Sequence, residues 1–316
     1  MSRTGRSPRQ HRTSDDYVVI EPPADALTSG RIDIENPPKV SFCIPTLNNE
    51  KTIGSCLKSI VSQDYPNIEI IIVDGGSSDG TVEIVKTYAD GVFLDKGTLG
   101  SATQTGVEHS SGEVLAIFDD DITIPHSGWL RNAIRYFNYS ERVSTVWPAV
   151  VAPANASLTA RLYANIWRVT FQDRIFKHRG YFGGGNALFW RQSMEEIGGI
   201  DRSLHWGLDF DWAKKLKERD YQVVLTNDAL YHNTMSSLRE FAKKQFVTAE
   251  AFTKNHFDTT GLSTTDLLYE QFVLGAKGMA SGLVRERDSS WALYPLFVLI
   301  RVIVFGSAYL KSGAAR

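Results

Sequence analysis

Cysteine is scarce in this chain of 316 residues: only Cys43 and Cys56 occur, each inside an apolar run. Two thiols so placed argue against a disulfide-stapled fold and against a zinc site built on cysteine. A surplus of positive charge is missing as well. Lys and Arg number 34 against 36 Asp and Glu, a net charge of -2, so the broad basic footprint of a nucleic-acid binder is lacking and no nucleic-acid partner is expected. The glycines match neither the phosphate loop nor the dinucleotide fingerprint. No internal repeat is visible, and collagen, coiled-coil and polytopic membrane patterns are absent. What remains is 42% hydrophobic and 22% charged, enough apolar material for a sizeable core. The length fits about two domains, or one large α/β domain with attachments.

Residues 1–38 differ from the rest. Arg3, Arg6, Arg9 and Arg12 stand among Ser, Thr and Pro, and the stretch closes on Pro37-Pro38. It contains no apolar run of signal-peptide length, so it is expected to be a disordered basic, Pro-rich leader, with a lipid-touching arm as the alternative. From Val40 the texture changes. Val40–Ile44 and Ile68–Val73 are apolar, β-rich runs, and Val92–Leu94 and Glu113–Phe118 continue the series. Helical spacing lies between them, at Ile53, Leu57, Ile60 and Val61 and again over Leu99–His109. Asn48 and Asn49 supply cap chemistry for the first helix. This alternation predicts right-handed βαβ units and a mostly parallel sheet flanked by helices, with ligands beyond the strands' carboxyl ends.

Three of those ends carry polar clusters: Pro45-Thr46-Leu47-Asn48, Asp74-Gly75-Gly76-Ser77 and Asp119-Asp120-Asp121. Asp119 and Asp121 are two apart after an apolar strand and point the same way. Two carboxylates held together resist one another unless a cation joins them, and a hard divalent ion shared with substrate phosphates is the usual resolution. The competing reading is a solvated acidic turn. Asp74 could accept from a base ring N–H, or it could be a turn acid that caps the helix beginning near Thr81.

Pro45-Thr-Leu-Asn48, Glu50-Lys-Thr-Ile-Gly54, Gln63-Asp-Tyr-Pro66 and Ile71-Ile-Val-Asp74-Gly-Gly-Ser-Ser-Asp79-Gly-Thr81 resemble the amino-terminal half of family 2 glycosyltransferases, and Asp119-Asp-Asp121 stands where that family carries its DxD. The similarity runs from about Val40 to Phe252, roughly two thirds of the chain. It implies a GT-A fold with a Rossmann-like nucleotide-binding half. It also implies inverting transfer from a UDP- or GDP-sugar to a glycan or lipid-linked acceptor, with Mg2+ or Mn2+ as cofactor. The residues it implies for the donor are Pro45, Thr46, Asn48, Glu50, Asp74, Gly100, Asp119, Asp120, Gly184, Asn186 and Lys244, with Lys243 and Gln245 beside the last. Asp119, Asp121 and His232 are implied for the metal. Asp209, in Gly207-Leu-Asp209-Phe-Asp211-Trp212, is implied as catalytic base. Leu208 stands where the family usually has Glu, and Thr103-Gln104 where it often has Arg-Asn. Aromatic neighbours Trp206 and Phe210 suit a base by raising a carboxylate toward working pH. A sugar nucleotidyltransferase is the alternative enzyme, although its Gly-rich loop with Arg and Lys is missing. A non-catalytic sugar-binding or scaffold module is the other alternative.

Trp291–Leu310 is 20 residues long with one charge, Arg301. That length just crosses a hydrocarbon core, while Arg301 near its centre and Pro295 and Gly306 weaken a straight span. Trp291, Tyr294 and Tyr309 would suit an interface, and Arg301 could snorkel to lipid phosphate. The expected division is therefore a glycosyltransferase domain over 39–255 and a helical hydrophobic extension over 256–316. That extension would attach the enzyme to the cytoplasmic face of a membrane. A buried helix packed on the catalytic domain is the competing reading.

Overall fold

Strands covered on both faces are largely apolar, and the central ones here are. The computed structural model describes residues 18–33, 35–178, 185–254, 265 and 268–313. Nine strands among them make one sheet. They are β1 (Val18–Ile20), β2 (Val40–Thr46), β3 (Ile68–Asp74), β4 (Gly91–Leu94), β5 (Val114–Ile117), β6 (Ile122–Thr123), β7 (Val143–Val151), β8 (Ala187–Trp190) and β9 (Gln222–His232). The order is β1-β9-β7-β8-β5-β2-β3-β4, with β6 on the far end of β9. Every pairing is parallel except those of β8 with β5 and β7, and of β6 with β9. The expected mostly parallel sheet is thus what forms, with β8 running against it.

Ten α-helices are described: α1 (Ile53–Val61), α2 (Thr81–Val85), α3 (Leu99–Glu108), α4 (Trp129–Ile134), α5 (Leu158–His178), α6 (Arg191–Glu196), α7 (Leu208–Glu218), α8 (Leu238–Lys254), α9 (Gly275–Val284) and α10 (Tyr294–Gly313). Alternation along β2 sends Phe42 and Ile44 to one side of the sheet, where Ile53, Leu57 and Trp129 cover them. Cys43 points to the other side, among Leu115, Phe189 and Trp212. Burial pushes the Cys43 thiol up to about 12, which suits a core residue and not a nucleophile.

A third cluster joins Leu162 and Ile166 of α5, Phe241 of α8, and Trp291 and Phe297 near the carboxyl end. Each such side chain, fully buried, contributes roughly 1.5–3 kcal/mol. The C-terminal helices therefore pack onto α5 and α8 along one face. Trp291 and Tyr294, expected at a lipid interface, are buried instead. Pro295 sits in the first turn of α10, where its missing N–H breaks nothing.

Two further expectations are corrected. From Val18 the chain belongs to the fold: β1 pairs with β9 in register Val18↔Val223, and buried Ile32 donates its N–H to Asn138 Oδ1 at 2.6 Å. Of the supposed leader, residues 1–17 and 34 lie outside the described residues. The cap of α1 also differs, since Thr52 and Ile53 donate their N–H groups to the Asn49 carbonyl and the helix starts only at Ile53.

Candidate functional site

The acidic run is positioned by two short ladders. β5 ends at Ile117, and Phe118 N–H still reaches the Cys43 carbonyl before the chain turns through Asp119, Asp120 and Asp121. β6 then pairs antiparallel with the end of β9, setting Ile122 opposite His232, and Asn233 N–H closes onto the Asp121 carbonyl at 2.8 Å. His232 Nε2 consequently lies 3.2 Å from Asp121 Oδ2. Asp119, Asp121 and His232 each present one ligand atom, all within 4.8 Å of one another.

The donor set fits a divalent ion. Two carboxylates and an imidazole suit Mn2+ or a related hard to borderline cation, and their surroundings are built for charge. Burial first, then the Asp121 and Asp119 charges, push Asp120 up to about 6 against a hydrogen bond from Thr46. Burial also disfavours the Asp121 carboxylate, yet His232 and Lys244 hold it below its ordinary value. Lys244 is exposed as a residue, and its ammonium lies 5.7 Å from the Tyr163 ring centroid. Desolvation would lower the Lys244 pKa, but Tyr163 and the carboxylates of Asp121, Asp119 and Asp120 raise it on balance.

Asn186 braces Asp119 from β8's side of the sheet. Its Oδ1 accepts from Asp119 N–H and its Nδ2 donates to Asp119 Oδ2, both at 2.8 Å. Its backbone, at φ +72°, is one that Asn tolerates better than most residues. The sequence assigned Asn186 to the donor; in the fold its amide grips a metal candidate. Gly184, assigned with it, lies outside the described residues.

Pro45, Thr46, Asn48, Glu50 and Asp74 lie in or beside two interlocked loops at the carboxyl ends of β2 and β3. Pro45 falls beyond the last β2–β5 pair, Cys43↔Ile117, so its missing N–H interrupts no rung there. Asn48 takes φ +51°, and its Oδ1 accepts from Ser78 N–H at 2.8 Å. Glu50 Oε2 accepts from Gly80 N–H at 2.8 Å. Asp74 accepts from the N–H groups of Gly76 and Ser77, so its carboxylate first of all shapes its own turn. Gly100 is glycine for a steric reason, because a Cβ there would come 2.1 Å from the Asp201 carbonyl oxygen.

Asp209 stands in the first turn of α7, where the helix dipole favours a carboxylate. The rings of its sequence neighbours Trp206 and Phe210 pack on each other with centroids 5.4 Å apart. Asp211 is engaged by Lys215 at 2.6 Å. Gln245, beside Lys244 in α8, is buried, and its Oε1 accepts from Arg301 Nε at 3.0 Å. Gln104 at the departure in α3 accepts from Ile200 N–H at 2.8 Å, tying that helix to the loop before α7. Tyr163, whose ring lies 5.7 Å from the Lys244 ammonium, is the feature the motifs did not announce. Only the third dimension brings α5 beside α8.

Comparison with known proteins agrees with this geometry. Residues 41–198 match the family model described as glycosyl transferase family 2. Glycosyltransferase AglE of Haloferax volcanii is 28% identical over 66% of this chain and 71% of its own length. The dolichyl N-acetyl-alpha-D-glucosaminyl phosphate 3-beta-D-2,3-diacetamido-2,3-dideoxy-beta-D-glucuronosyltransferase of Methanococcus voltae is 32% identical over 65% of this chain and 70% of its own. Among solved structures, a Pyrobaculum calidifontis mannosyltransferase in complex with GDP-Man and Mn2+ superposes with a TM-score of 0.57. It covers 89% of this chain and 91% of its own at 18% identity, a likeness of fold. With a GT-A sheet and the matched family model together, the chain belongs to glycosyl transferase family 2 and is a glycosyltransferase.

Proposed function

We propose that this enzyme transfers a sugar, with inversion, from a nucleoside diphosphate donor to a hydroxyl or phosphate of a lipid-linked or glycan acceptor at the cytoplasmic face of a membrane. The observation that carries the reading is the meeting of Asp119, Asp121 and His232 beside the Lys244 ammonium at the carboxyl edge of the sheet. The catalytic unit is assigned to 39–255, with β1 added to its sheet, and the helices of 256–316 to attachment.

A divalent ion held by Asp119, Asp121 and His232 would supply charge neutralisation for the diphosphate leaving group, worth several kcal/mol. The protein's own groups do the rest. Asn186 fixes the Asp119 carboxylate in one orientation. Lys244, kept protonated by the acids around it, presents positive charge to the phosphates. The Asn48 and Asp74 loops, tied together by Ser78 N–H on Asn48 Oδ1 and by Gly75 N–H on the Thr46 carbonyl, shape the donor side. Asp209 takes the proton of a hydroxyl acceptor as that oxygen attacks the face opposite the leaving group. A phosphate acceptor, already ionised, needs no such base. The M. voltae relative's name, with its dolichyl-linked acceptor, and the apolar helix α10 support a lipid-linked acceptor.

The test is a panel of UDP- and GDP-sugars with Mn2+ or Mg2+, scored by donor hydrolysis and by calorimetric binding. The parent should bind one donor only with metal, and Asp121→Ala should lose that binding while melting normally. Full metal-dependent affinity in Asp121→Ala would overturn the assignment. A well-folded parent that binds sugar but turns over no donor would favour the scaffold reading.

A further inference from the structure

Helix α10 has two unlike faces. Inward, Tyr294, Phe297 and Ala308 are buried, and Phe297 stacks on Phe241 of α8 with centroids 3.8 Å apart. Arg301 points the same way, donating from Nε to Gln245 Oε1 and from Nη1 to Gln271 Oε1 at 3.0 and 2.9 Å. The snorkelling expected of Arg301 therefore does not occur; protein amides take its charge. Outward lie Leu296, Leu299, Val302 and Ile303, between 39% and 57% exposed. Their spacing of three to four residues makes one stripe. Ser289–Ala308 is 20 residues long with a mean hydropathy of 1.8 and is only 22% buried. The one charge in that stretch has been turned off the stripe.

The neighbouring turn says what covers it. Arg285, Glu286, Arg287 and Asp288 join α9 to the segment leading into α10. α5 engages both acids: Arg168 pairs with Glu286 at 2.9 Å and Arg161 with Asp288 at 2.6 Å. Arg285 and Arg287 stay exposed, and neither has an ion-pair partner among the described residues. A cationic turn leading directly into an apolar stripe matches a bilayer surface, with anionic headgroups outside and acyl chains beneath.

We propose that α10 lies in the plane of an anionic bilayer surface, with Leu296, Leu299, Val302 and Ile303 among the acyl chains and Arg285 and Arg287 on the headgroups. It does not cross the bilayer. α10 packs on α8, whose Arg239, Glu240 and Lys243 are exposed; a spanning α10 would carry those charges into hydrocarbon. The inference rests on the membrane reading above and deepens it by fixing the orientation. α8 then stands between lipid and active site, with Gln245 on Arg301 and the adjacent Lys244 toward the carboxylates.

The experiment uses the full chain and vesicles of phosphatidylcholine with about a third phosphatidylglycerol. The protein should float with them and be released by alkaline carbonate. Both native cysteines are buried, so a fluorophore on Ile303→Cys labels one site. That label should be quenched more by a shallow acyl spin probe than by a deep one. Leu299→Glu/Val302→Glu should lose vesicle affinity at least about tenfold with an unchanged melt, and Ile303→Lys is the substitute if the double variant fails to fold. Absence of flotation would overturn the membrane reading and this inference together. Flotation with carbonate resistance and deep quenching would overturn the in-plane orientation alone. A parent dimer that the charged variants dissociate, without vesicle binding, would assign the stripe to a second copy and overturn the proposal.

Discussion

Asn186 and Asp119 hold each other twice, amide to carboxylate and backbone N–H to amide oxygen, both at 2.8 Å. The pair orients a metal candidate before any ligand arrives. Asn186→Gly keeps the positive φ available and deletes only the clamp. Mn2+-dependent donor affinity is expected to fall about 10–100-fold, measured by calorimetry. An affinity equal to the parent's would reduce Asn186 to a loop residue.

Asp209→Asn tests the base. With a hydroxyl acceptor, turnover should drop about 10²–10⁴-fold while donor binding stays. Steady-state rates against donor titrations separate the two. Turnover within a few-fold of the parent would point to an acceptor that is already ionised.

Glu69 sets an acid limit on stability. Burial disfavours its charge, but hydrogen bonds from Ser41, Ser111 and Lys39 outweigh this and hold the carboxyl at about 2, below its ordinary 4.5. A depressed pKa stabilises the fold above the unfolded value, and that stabilisation drains away as pH falls from 4.5 toward 2. Glu69→Gln should cost about 1–3 kcal/mol near neutrality. The gap between parent and variant melts should close across that acid window; a gap that persists at its lower end would contradict the assignment.

The C-terminal packing is tested by two glycines of opposite kind. A Cβ on Gly282 would come 2.0 Å from the Trp291 ring, whereas one on Gly306 meets nothing within 4 Å. Gly282→Ala should destabilise by about 1–3 kcal/mol through overpacking. Gly306→Ala should be neutral or raise the melt, since alanine favours a helix by up to about 1 kcal/mol. Thermal melts that ranked the two the other way round would mean that α9 does not clamp Trp291.

Strand runs such as Ile70–Val73 were legible because the inner part of a buried strand is apolar, and the acids at their ends stood out against that background. The partnership of His232 with Asp121 was less so. It depends on β6, a strand of two residues that no periodicity reveals. β1 escaped notice for the same reason, being three residues in a Pro-rich neighbourhood. Arg301 misled most, because a lone charge in an apolar run looks like a liability until Gln245 and Gln271 are brought to it by packing. Asn186 carried no signal for its grip on Asp119, which needs β8 to run antiparallel beside β5.

The register Val18↔Val223 also fixes an order of events during synthesis. Roughly 200 residues separate those partners, so at about 5–20 residues per second the ribosome takes about 10–40 s to deliver β9 after β1. Through that interval the first strand has no ladder to join, while β2, β3 and β5 can already pair with one another. The amino-terminal strand is thus the closing seam of the sheet. Until it docks, the outer rim of β9 is an open edge that another chain could invade.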